Sequence, residues 1–249
     1  MPDVRFLLLQ IRNPDDPMRA AEVASFARAL EVDRAQIETC DLLAAFPDRE
    51  HWAAFDAVLV GGSGHYSAVA TSEPWLDRAL EGFADLCHSG RPVFASCWGF
   101  QAIARALGGA VIHDKSRAEV GTLDVNLTPE GRADPVVGGS GESFPAQMGH
   151  TDHVVELPPG ATRLAFSAPH AHQAYRLEGL PVYCTQFHAE LSREDLVARV
   201  RQYPEYIRDT TGVSIDAFCA SLRETPTTES LLRRFRETYC VTSTCGRAP

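Results

Sequence analysis

The chain has 249 residues, enough for one folded unit to bury about three quarters of the surface that its unfolded form exposes. Its formal net charge is −10, with both signs interspersed and no long Lys/Arg run, which excludes nucleic acid and anionic membranes as expected partners. Seven cysteines without C-x-x-C spacing, no secretory leader after Met1 and no long apolar run point to reduced thiols in the cytoplasm.

In chain order, residues 4–10 are an apolar run that reads as a buried strand, and 17–30 place apolar side chains at helical spacing. Residues 36–40 and 57–60 read as strands, 73–88 as a helix, 93–95 as a strand followed at once by a helix that stops at Gly108-Gly109, and 110–113 as a further strand. Alternation of this kind predicts an α/β fold in three layers, a mostly parallel sheet flanked by helices. Residues 122–127, 153–156, 163–166, 173–177 and 182–187 then read as short strands of an antiparallel extension, with 134–145 a glycine-containing loop. Beyond residue 190 the pattern is helical over 192–206, 215–223 and 230–237, with Ser192 and Asp195 as a capping box and 240–249 as a mobile tail. The expected organisation is a catalytic unit over 1–190 and a helical appendage over 191–239 packed on it.

The junction Pro92-Val-Phe-Ala-Ser-Cys97-Trp98-Gly99-Phe100-Gln101 carries the chemistry. A strand that turns directly into a helix raises the side chain at the turn above the sheet, and the free N–H groups of the helix start favour negative charge there. Small residues at positions 95 and 99 suit a tight turn, so Cys97 is a candidate nucleophile; the bland alternative is a small buried hydrophobe. A thiol nucleophile needs a base, and Gln186-Phe187-His188-Ala189-Glu190 supplies one at the end of an apolar strand. If the strand continues through it, His188 and Glu190 project to one face, so that the carboxylate orients the imidazole and the other ring nitrogen meets the thiol.

Taken together, Cys97-Trp98-Gly99-Phe100-Gln101 and Gln186-Phe187-His188-Ala189-Glu190 resemble the Cys-x-Gly-x-Gln elbow and the Gln-Phe-His-Pro-Glu strand of the class I glutamine amidotransferase family, in particular the amidotransferase domain of GMP synthase. Two more segments match in order: Ala57-Val58-Leu59-Val60-Gly61-Gly62-Ser63-Gly64 is similar to the family's Gly-rich oxyanion strand, and Met148-Gly149-His150-Thr151-Asp152-His153-Val154 to its Ser-His-Gly-Asp-x-Val segment. The resemblance covers residues 4 to 195 and implies a flavodoxin-like fold. It departs at Ala95 for glycine, at Ala189 for proline and at Thr151 for glycine, the last bearing on a contact with substrate.

What the resemblance implies is a triad of Cys97, His188 and Glu190, an oxyanion hole from the backbone N–H groups of Gly62 and Trp98, and substrate contacts from Gly61, Gln101, His150 and Thr151. The substrate would be glutamine or another γ-glutamyl compound, with a separate synthase subunit as acceptor of the ammonia. Neither cofactor nor metal is expected: His150-x-x-His153 and His170-x-His172 are imidazole pairs, but no cysteine or carboxylate is seen in sequence to complete a tetrahedral set. Three functions remain: a glutaminase or amidotransferase subunit, a γ-glutamyl hydrolase or transferase on a larger acyl substrate, and a non-enzymatic redox-sensing partner protein. The intact His188-x-Glu190 pair argues against the third.

Overall fold

A computed structural model describes residues 4–240. The elements run β1 (Phe6–Gln10), α1 (Met18–Leu30), β2 (Ile37–Asp41), α2 (Arg49–Ala53), β3 (Ala57–Val60), α3 (Pro74–His88), β4 (Val93–Ser96), α4 (Trp98–Ala106), β5 (Ala110–His113), β6 (Glu119–Leu127), α5 (Pro129–Ala133), β7 (Ser143–His150), β8 (Asp152–Glu156), β9 (Ala161–Phe166), β10 (Ala174–Leu177), β11 (Val182–Thr185), α6 (Arg193–Gln202), α7 (Pro204–Thr211), α8 (Ile215–Ser221) and α9 (Pro226–Tyr239).

Nine strands form one sheet in the order β2-β1-β3-β4-β11-β10-β9-β6-β7, and β5 with β8 form a second. From β2 to β11 every pairing is parallel, and from β11 to β7 every pairing is antiparallel. The inner parallel strands β1, β3 and β4 are buried throughout and largely apolar, as suits strands covered on both faces. Phe6, Leu8, Leu59 and Phe94 pack toward Phe26, Leu30, Leu231 and Phe235 of α1 and α9, whereas Leu7, Leu9, Val58, Val60 and Val93 pack toward Trp75, Phe83, Trp98 and Phe100 of α3 and α4. The three-layer α/β reading therefore holds, and so does the antiparallel extension, except that the strand expected at 153–156 pairs with β5 in the second sheet and β11 is parallel to β4 on one side.

Several boundaries differ from expectation. The helix expected over 192–206 is two, because Pro204 lacks an N–H and opens α7. The loop expected over 134–145 gives way at Ser143 to β7, which contains Pro145; a proline is tolerated there because β7 is the edge strand. α6, α7 and α8 enclose a small core of their own, with Leu196, Val200, Ile207 and Phe218, but α9 belongs to the main core, its Phe235 packing edge-on against Phe94 at 5.4 Å. The tail expected over 240–249 lies, beyond Cys240, outside the described residues. Among those described, no helix is long and apolar enough to cross a membrane.

Candidate active site

At the carboxyl end of β4 the chain turns into α4 with Cys97 between them, and this residue takes φ +52° and ψ −101°. A non-glycine residue in that region carries strain of about 1–3 kcal/mol, so the surroundings must hold it. They do: the Cys97 N–H donates to Thr185 O of β11 at 2.8 Å, and its carbonyl accepts from Gln101 N at 3.2 Å. The following turn can fit only because residue 99 has no side chain, since a Cβ there would lie 2.8 Å from Val60 Cγ1 and 3.1 Å from Ala95 Cβ. Trp98 stacks on Trp75 of α3 at 5.8 Å and anchors the helix start laterally.

β11 ends at Thr185, two residues short of expectation, and residues 186–190 are irregular. His188 and Glu190 meet even so: His188 Nδ1 lies 2.6 Å from Glu190 Oε1, and both are buried. The His188 N–H donates to Gln147 O of β7 at 3.0 Å, so the antiparallel half of the sheet curls back to hold the segment. Nδ1 is occupied by the carboxylate, which leaves Nε2 for the thiol. Burial alone lowers the His188 pKa, but the charge of Glu190 and the adjoining Cys97 outweigh it and raise it to about 9. Glu190 shifts oppositely: burial raises it, and the stronger pull of His188, helped by Arg199, takes it down.

Gly62 completes the geometry. A Cβ on it would stand 2.9 Å from His188 Cε1 and 3.6 Å from Cys97 Cβ, so only glycine lets the end of β3 reach both. Gly61 is pressed on Glu22, a carboxylate that receives Arg12 through both oxygens at 3.2 Å and Gln10 Nε2 at 2.9 Å. Gln101 is buried, and its Nε2 donates to Asp152 O at 2.8 Å and Gln186 Oε1 at 3.2 Å. Gly149 O lies 3.9 Å from Cys97 Sγ. Thr151 is half-buried at the β7–β8 turn. The His150 ring, in contrast, is taken up by a second cluster: Nε2 lies 3.1 Å from Glu119 Oε2 and Nδ1 lies 3.0 Å from Asp152 O.

Glu119 corrects the sequence reading, which saw no carboxylate near these histidines. It is 31 residues from His150 in sequence but is its register partner across β6 and β7. Arg28 also went unread: Nη2 donates to Glu190 O at 2.8 Å and to Asp195 Oδ2 at 2.5 Å, and Nη1 donates to Glu229, so one side chain ties α1, the site segment, α6 and α9 together.

A mixed sheet whose parallel half is covered on both faces, with a cysteine on a strained elbow at the carboxyl ends of the parallel strands, defines an α/β protein of the doubly wound kind. The model of the family described as glutamine amidotransferase class-I matches residues 23–198. GMP synthase from Christiangramia forsetii is 30% identical over 152 residues, covering 61% of this chain and 28% of that protein. Gamma-glutamyl peptidase 4 from Arabidopsis thaliana is 28% identical over 162 residues, 62% of each chain. The crystal structure of a glutamine amidotransferase from Thermotoga maritima superposes with a TM-score of 0.77 at 18% identity over 97% of this chain and all of that one. The chain thus belongs to the class I glutamine amidotransferase family. It spans less than two thirds of the length of these curated relatives.

Proposed function

We propose that this protein is a cysteine amidohydrolase of γ-glutamyl amides, with glutamine as substrate. Cys97 thiolate attacks the side-chain carbonyl carbon, forming the S–C bond; the C–N bond then breaks, and ammonia leaves with the proton that His188 carries. Water, deprotonated by His188, next attacks the γ-glutamyl thioester and releases glutamate and the thiolate. Glu190 holds the ring so that Nε2 faces sulfur, and the raised pKa of His188 supports an imidazolium able to pass its proton to the departing ammonia. The backbone N–H groups of Gly62 and Trp98 are the oxyanion donors. Gly61, Gln101 and Thr151 frame the glutamine, Gln101 through the hydrogen bonds that brace the Asp152 segment.

The observation that carries this reading is the convergence of three chain segments, with room at Gly62 for no side chain, on the Cys97 sulfur and His188 ring. The ammonia acceptor is a synthase activity outside these 249 residues, an assignment supported by the match to only 28% of a GMP synthase. A second reading, hydrolysis or transfer of γ-glutamyl peptides or amines by the same triad, is favoured by the likeness to a gamma-glutamyl peptidase over 62% of each chain. One assay separates the two. The protein and its Cys97→Ala variant are incubated with glutamine and with γ-glutamyl peptides and amines, while ammonia, amine, glutamate and a mass-detected thioester are followed. Cys97-dependent ammonia from glutamine supports the first reading, release from the larger compounds alone supports the second, and no acyl intermediate on any of them sinks both.

A further inference from the structure

Behind the wall of this site lies a buried group that the proposed reaction does not use. Glu119 opens β6 opposite His150, the last residue of β7, and His170 follows β9; one ligand atom from each lies within 4.8 Å of the others, and all three residues are buried. Glu119 Oε2 is 3.1 Å from His150 Nε2; His170 Nε2, 3.9 Å from the same oxygen, donates to Arg117 O at 2.7 Å, so Nδ1 is the nitrogen of that ring with a free lone pair.

The hydrogen bonding makes this more than a polar strut. Asp152 O, 3.0 Å from His150 Nδ1, can only accept, so the proton of a neutral ring sits on Nδ1. Nε2 then presents a lone pair to a carboxylate oxygen, and two acceptors at 3.1 Å repel unless positive charge, a proton or a metal ion, lies between them. The surroundings lean toward the metal, because the groups packed beside this pair are further imidazoles, His170 on His150 with ring centroids 5.4 Å apart and His153 on His170. Independently, His153 packs on the His170 ring with centroids 4.3 Å apart and is 1% exposed, yet neither of its ring nitrogens has a hydrogen-bond partner. A buried imidazole with two unmet nitrogens is costly unless a ligand engages one of them.

We infer that Glu119, His150 and His170 form a binding site for a divalent cation of the zinc class, with His153 as the nearest further donor. Two imidazoles and a carboxylate are a zinc-type donor set, whereas magnesium and calcium prefer oxygen alone. The outer groups are also those of a metal site: carbonyls hold the rings, Asp152 O for His150 and Arg117 O at 2.7 Å for His170, and Gln173 Nε2 donates to Glu119. Because His150 follows Gly149, whose carbonyl faces Cys97 Sγ, a bound ion would stiffen one wall of the candidate active site.

The test uses the full chain carrying Cys97→Ala, so that the elbow thiol cannot bind metal. After chelator treatment the protein is titrated with Zn²⁺ and with Co²⁺. One equivalent should bind, raise Tm and give a cobalt spectrum and X-ray absorption signature of nitrogen and oxygen ligands without sulfur. Glu119→Gln and His170→Asn should weaken binding about 100-fold or more, given that loss of merely an outer partner costs about 10- to 100-fold. His88→Asn, on the exposed end of α3, should not. The inference is overturned if the folded background protein binds no metal saturably, if sulfur appears among the ligands, or if folded Glu119→Gln or His170→Asn binds as tightly as the background. The background measurements decide the question even where a variant fails to fold.

Discussion

Two buried imidazole–carboxylate pairs, His188 with Glu190 and His150 with Glu119, stand on either side of the β7 end and behave oppositely. In the first, partners two residues apart meet at 2.6 Å, and the free face of the ring looks at a thiol. In the second, partners 31 residues apart meet at 3.1 Å, and the neighbours are further imidazoles. The first environment raises its histidine pKa because Glu190, with Cys97 adjoining, outweighs burial, whereas in the second burial lowers His170 and His153. Two like pairs thus stand in different surroundings, one beside a thiol and the other among further imidazoles.

The sharpest way to break this contrast is to remove the thiol. Cys97→Ala should abolish glutamate release in a continuous ammonia assay, and Glu190→Gln should lower kcat by about 10⁴-fold, since an amide in place of the carboxylate favours the wrong tautomer of His188. Unchanged turnover in either would remove the first pair from catalysis. Next in size, Gly62→Ala should lower kcat by about 100- to 1000-fold with a smaller change in KM, because the added Cβ, 2.9 Å from His188 Cε1, displaces both the ring and the candidate oxyanion donor. For the second pair, Glu119→Ala should cost about 3 kcal/mol in urea unfolding, with the midpoint lowered and the slope unchanged, because a buried carboxylate is removed from its partners.

The smallest effect concerns pH. The folded His188 pKa lies above its unfolded value of about 6.5, so its contribution to stability is complete below about 6.5 and is lost as pH rises through about 9. The Tm difference between the wild-type protein and His188→Gln should therefore shrink across that window. A difference independent of pH would show that the ring is not held protonated.

Much of the first site was legible in sequence because its parts are local. Cys97 sits where an apolar run meets a helical period, and His188 and Glu190 are two residues apart, near enough that the short turn ending β11 brings them together although no strand continues through them. Gly62 was legible as a glycine at a strand end, but why it must be glycine appears only with the His188 ring in contact. Glu119, in contrast, gave no local sign, since its meeting with His150 follows from the β6–β7 register. Arg28 is 162 residues from the Glu190 carbonyl that it holds, and α9 looks like an appendage until Phe235 is found against Phe94 in the main core.

By itself the sequence determined the α/β class, the elbow and the candidate triad, because hydrophobic period and short spacings are properties of neighbouring residues. Only the tertiary structure decided that β7 closes both pairs, docking His188 through Gln147 O and carrying His150 to Glu119. Strand register and sheet curvature are set by long-range packing and backbone hydrogen bonds, which no local window contains.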